Sequence, residues 1–92
     1  GAADINLFLA DGTKVTLDNP DHLPLVQNFL KKAKDFGATG IGAGNGYMGN
    51  DGFHVDIAKE LGNTGPNSTP YWGGPQARAH LAEQWLKDIM LG

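Results

Sequence analysis

Residues 40–52, GIGAGNGYMGNDG, set the tightest limit on what this chain can fold into. Glycine has no Cβ and loses the most freedom on folding, so a run this dense in it disfavours long regular elements. It suits a short strand around Ile41 followed by a loop of unusual backbone angles. What flanks the run is more regular. Residues 53–58 alternate Phe53, Val55 and Ile57 with His54, Asp56 and Ala58, which predicts a half-buried strand with His54 and Asp56 on one face. Upstream, residues 4–10 alternate loosely around Ile5, Leu7 and Leu9, Asp11-Gly12 offers a turn, and residues 14–17 return with β-branched side chains, so a hairpin is expected. Residues 18–22 are rich in capping types and Pro24 suits a first helical turn, which starts a helix near Asp21 or His22. Leu25, Val26, Phe29, Leu30, Ala33 and Phe36 recur at helical spacing opposite Lys31, Lys32, Lys34 and Asp35, and Gly37 is the expected stop. Residues 59–74 read as an ordered polar loop closed by Tyr71-Trp72. Pro75 then opens a last helix whose apolar side is Ala79, Ala82, Leu86 and Ile89/Met90, flanked by Leu81 and Trp85. The sum is strand, strand, helix, strand, strand, helix: an α+β fold with a small antiparallel sheet and two helices.

Ninety-two residues leave room for one domain, residues 1–92. A chain this short buries only about two-thirds of its unfolded surface, so a metal or a partner is a natural source of extra stability. With no cysteine, disulfides and thiolate metal sites are excluded. Seven Lys and Arg against ten Asp and Glu, a net charge of -3, argue against a grip on phosphate backbones, so no nucleic-acid partner is expected. No apolar run approaches the roughly 20 residues of a membrane span, and residues 1–9 carry no basic region ahead of their apolar stretch. The expectation is a soluble, already processed chain.

Three patterns bear on chemistry. Gly44-Asn-Gly46-Tyr-Met-Gly49 has the spacing of a dinucleotide-binding loop, but that loop opens a helix and here a strand follows, so a turn-rich connection is the reading. Asn67-Ser68-Thr69 fits a glycosylation acceptor, a pattern common by chance. The informative cluster is Asp51-Gly-Phe-His54-Val-Asp56, with a carboxylate three residues before a strand histidine and a second carboxylate beside it. Imidazole and carboxylate are good zinc ligands, a zinc-held water has a pKa of about 7, and a carboxylate outside the coordination shell can take its proton and pass it to a leaving amine. Asp51 has the position of such a base. The same trio also fits a hydrogen-bonded loop, with His54 a sheet histidine and Asp4 a solvated strand residue.

The opening residues, Gly1-Ala2-Ala3-Asp4-Ile5, resemble the end of the His-x-x-Gly-x-Ala-x-Asp motif of the LAS or hedgehog-like zinc peptidases, the D-Ala-D-Ala carboxypeptidase and L-alanyl-D-glutamate peptidase group. Asp51 and His54 match that family's second motif, an acidic residue three before a histidine, and Trp72-Gly73-Gly74 is similar to the tryptophan that follows in its phage and cell-wall members. The resemblance covers roughly residues 1–58. It implies a partial hedgehog or DD-peptidase-like fold, zinc held by Asp4 and His54, Asp51 as general base and then acid, and hydrolysis of an amide bond in the peptidoglycan stem peptide outside the cytoplasm. The family's first ligand, a histidine seven residues before the aspartate, would precede Gly1, so the resemblance further implies an N-terminally truncated domain whose missing segment is a partner of this one. A competing expectation is a non-catalytic wall-binding or assembly module that kept the fold. His22 reads as a helix-start residue, His80 as a helix-surface residue, Tyr47 as an aromatic closing the glycine loop or lining a groove, Trp72 and Trp85 as core anchors, and Asp56 as an orienting partner of His54 or a sheet-hydrating residue.

Overall fold

The computed structural model describes residues 1–57 and 69–92. In chain order they form β1 (Ala2–Ile5), α1 (Leu23–Asp35), β2 (Gly40–Gly42), β3 (Phe53–Asp56), β4 (Tyr71–Trp72) and α2 (Gln84–Leu91), with short 3-10 turns at Pro20–His22, Tyr47–Asn50 and Ala79–Leu81. The α+β class holds: a four-stranded sheet in the order β1-β3-β2-β4 carries two helices. β3 pairs antiparallel with β1 on one side and with β2 on the other, and β4 adds parallel to β2, so the sheet is mostly rather than wholly antiparallel.

Alternation along the strands divides the sheet into two faces. Ile5, Ile41, Phe53, Val55 and Tyr71 join the core with Val26 and Leu30 of α1 and Leu86 and Met90 of α2. Phe53, Ile41, Val26, Leu30 and Leu86 are fully buried there, each removing apolar surface from water at about 25 cal/mol per Å². The other face carries Asp4, His54, Gly42 and Trp72, which follow one another across the four strands in register. The helices therefore hold up the sheet from one side and leave the polar residues of β1 and β3 on the other.

α1 begins where the cap residues place it. The Asn19 side chain accepts from the Asp21 amide, Pro24 occupies the first turn, and the helix gives way at Phe36 to Gly37, whose φ of 113° only glycine tolerates well. His22 is the residue ahead of α1, buried, with its Nδ1 accepting from the Thr16 amide.

Three expectations are corrected. The hairpin expected over residues 4–17 is shorter than read: around the Asp11-Gly12 turn the Leu9 amide donates to the Thr13 carbonyl and the Val15 amide to the Leu7 carbonyl about a Phe8–Lys14 bridge, while residues 2–5 spend their ladder on β3 and, beyond Val15, the Leu17 amide donates to the Asn50 carbonyl and the Thr16 amide to His22. Tyr71-Trp72 does not merely close a loop but forms β4. The last helix starts at Gln84, not at Pro75, since residues 73–78 fold into a turn bridged from Gly73 to Arg78, with Gly74 and Ala77 at positive φ, and Ala82 and Glu83 are extended. His80 is consequently exposed on a 3-10 turn. The loop expected over residues 59–68 and the acceptor pattern at Asn67 lie outside the described residues apart from Thr69.

Candidate metal centre

β1 and β3 bring the two sequence-predicted ligands together. Asp4 and His54 are cross-strand partners, and His54 Nδ1 lies 2.7 Å from Asp4 Oδ1. On the far side of the ring His54 Nε2 lies 2.6 Å from Asp56 Oδ1, a pairing that follows from the two residues sharing one strand face. The Asp4 side chain is 63% exposed and that of His54 25%, so the pair is reached from solvent while the ring is held.

The environment sets the charge of the ring. Burial disfavours the imidazolium, but the hydrogen bonds to Asp4 and Asp56 and the charges of both carboxylates outweigh it, so His54 titrates above its ordinary value of 6.5. When the ring is protonated both nitrogens donate, one to each carboxylate.

Asp51 stands near the end of the glycine-rich loop, two residues before β3 begins. Its carbonyl accepts from the Asn6 side chain at 2.7 Å and its carboxylate lies 3.6 Å from Lys14 Nζ, so the arm that leaves β1 meets it twice. The loop leading to it is tied on several sides: Asn50 Oδ1 accepts from the Gly46 amide, Asn50 Nδ2 donates to Asp18, and Gly44, Asn45, Gly46, Met48, Gly49 and Asn50 all have positive φ. This is the unusual backbone that residues 40–52 foretold.

Sequence reasoning placed Trp72 in the core; it is buried, at 2% exposure, but on the other face, with its ring 5.5 Å from that of His54 at an angle of 51°. Gly42 makes this possible. A Cβ there would overlap Nε1, Cε2 and Cδ1 of the indole, so only glycine lets Trp72 reach across β2 to β3. The signal that could have found the contact, parallel pairing of β2 with β4, joins residues far apart in sequence.

Among the described residues, no group of three or more His, Asp or Glu side chains is arranged to hold a metal ion. The reason is visible at His54: Asp4 and Asp56 sit on opposite nitrogens, so an ion at Nδ1 meets Asp4 alone. An imidazole nitrogen and a carboxylate oxygen are donor types that zinc takes, here 2.7 Å apart in a direct hydrogen bond, and Nε2 donating to Asp56 is the orienting bond that metal-bound histidines commonly make. A separate cleft of about 470 Å³ lies between the ends of the helices, lined by Lys31, Lys34, Asp35, Asp88, Ile89 and Gly92, and contains none of these residues. No helix among the described residues is long and apolar enough to cross a membrane. Comparison of the chain with protein-family models, curated proteins and solved structures finds no match.

Proposed function

We propose that this chain forms part of a zinc-dependent peptidase domain that hydrolyses an amide bond of the peptidoglycan stem peptide, and so acts outside the cytoplasm, where wall peptides are met. The observation that carries the reading is the cross-strand pairing of Asp4 with His54 on the sheet face away from the core, with Asp51 three residues upstream at the mouth of β3. Asp4 Oδ1 and His54 Nδ1 would hold the metal, while Asp56 keeps the ring oriented through Nε2. Zinc, when bound, supplies Lewis acidity and a water of lowered pKa. Asp51 takes the proton released on attack and returns it to the leaving amine. Lys14 and Asn6 hold Asp51 beside the strand that carries Asp4. The third protein ligand implied by the resemblance, a histidine seven residues before Asp4, is the part of the proposal that an N-terminally extended chain tests.

The experiment is a zinc titration followed by digestion of purified peptidoglycan, on this chain and on the extended one. His54→Ala should lower zinc affinity and hydrolysis together. Asp51→Asn should remove most turnover, on the order of a hundredfold or more, and leave zinc bound, because a base outside the coordination shell contributes proton transfer rather than coordination. Zinc loss in the Asp51 variant would make it a ligand; zinc binding with no hydrolysis in the extended chain would leave a wall-binding module in place of an enzyme.

A further inference from the structure

The two tryptophans of this chain treat their indole N–H groups differently. Trp85 Nε1 donates to Glu83 Oε2 at 2.9 Å. Trp72 Nε1, in a side chain 98% withdrawn from solvent by its residue exposure of 2%, has no hydrogen-bond partner among the described residues. Every fully buried side-chain nitrogen or oxygen among them is paired, so the small part of Trp72 that meets solvent includes this N–H. An indole N–H is a donor only, and when a tryptophan is otherwise packed away its polar tip normally finds an acceptor. This one is left open on the face that carries Asp4 and His54, its ring 5.5 Å from the histidine ring and its pyrrole side laid over Gly42.

We propose that Trp72 is a substrate-binding residue whose indole N–H donates to a backbone carbonyl oxygen of a bound peptide. The proposal rests on the reading of the Asp4–His54 face as a peptide site. A carbonyl is the fitting partner because it is an uncharged acceptor: a carboxylate brought to the same place would meet the charges of Asp4 and Asp56. The ring holds its donor without a flexible stem, since Gly42 beneath it and His54 beside it fix its plane, so little rotamer freedom is lost when the acceptor arrives.

The test uses nuclear magnetic resonance on the chain as it stands, with both indole N–H signals as probes and a short N-acetylated alanyl peptide amide as ligand. In the free protein the Trp72 signal should exchange with water faster than that of Trp85. On titration it should move downfield and become protected, while Trp85, already bonded to Glu83, stays in place. Trp72→Phe keeps an aromatic ring beside His54 and removes the donor along with part of the ring; it should bind the peptide about tenfold more weakly, the size of one hydrogen bond to a buried acceptor, with zinc affinity unchanged and a melting midpoint lowered by the smaller buried ring. Equal peptide affinity in the Phe variant, a Trp72 signal indifferent to peptide, or no peptide binding at all would overturn the proposal. Peptide binding that moves Trp72 here, when the N-terminally extended chain neither takes up zinc nor hydrolyses the peptide, would sustain it and overturn the peptidase reading instead.

Discussion

A neutral imidazole owns one N–H, yet His54 faces a carboxylate at each nitrogen, Asp4 at 2.7 Å and Asp56 at 2.6 Å. Only the charged ring satisfies both, which is why its pKa rises despite burial. The sign of the linkage follows. A pKa raised on folding gives a stabilisation that is complete below the unfolded value of about 6.5 and is lost as pH climbs through the higher folded-state value. Melting midpoints of the metal-free chain, taken from about pH 5 to about pH 9, should therefore fall across that window relative to a His54→Gln variant, and Asp56→Asn should reduce the fall. A difference between wild type and His54→Gln that stays flat with pH would mean that the ring is not charged between its carboxylates. His54 and Asp56 were legible in the sequence because a period of two assigns neighbours to a face with no knowledge of the rest of the fold, whereas Asp4 was singled out only by the resemblance of the opening residues to a zinc-peptidase motif. Trp72 was not, because its place against His54 depends on a strand pairing that local pattern does not encode, and on the absence of a side chain at Gly42.

The elements differ in how far local pattern determines them. α1 and β3 are read correctly almost to the residue, since one has its caps and helical spacing and the other a clean alternation. The length of the hairpin and the start of α2 are misread because backbone groups are claimed outside the expected element: Thr16 and Leu17 bond to His22 and Asn50, so that the hairpin stops at Val15, and residues 73–78 close on themselves in the Gly73–Arg78 turn. β2 is the element most dependent on a single residue. Gly42→Ala places a methyl group where the Trp72 ring lies, and an overpacked site of this kind costs about 1–3 kcal/mol. Denaturant melts should show that loss, and it should shrink sharply when Trp72 is also replaced by Leu, a coupling that a double-mutant cycle reads directly. An equal cost in both backgrounds would place the strain elsewhere than at the indole.

At the scale of the molecule, one small core carries everything. Val26, Leu30, Ile41, Phe53, Leu86 and Met90 are its largest fully buried side chains, drawn from both helices and the two central strands. For a chain of this length total stability is roughly 5–14 kcal/mol, and Leu30→Ala alone should cost about 2–5 kcal/mol, enough to lower the melting midpoint by more than 10 °C at roughly 4–8 °C per kcal/mol. A calorimetric scan that showed a shift of only a few degrees would mean that α1 re-packs. Zinc should act in the opposite direction: a chain extended to carry the third ligand should melt markedly higher with zinc than with chelator, and the present chain should show little shift, because two protein donors bind weakly. Equal large shifts would mean that this chain already owns a complete site. The order of the strands adds a consequence of its own. β1 hangs from the sheet through β3 alone, and three of its four residues are exposed, so its amides should be among the first to open in hydrogen exchange. Any ligand that grips Asp4 and His54 at once acts as a clasp on that edge, and slower exchange along β1 would report occupancy of the site without reference to what the site does.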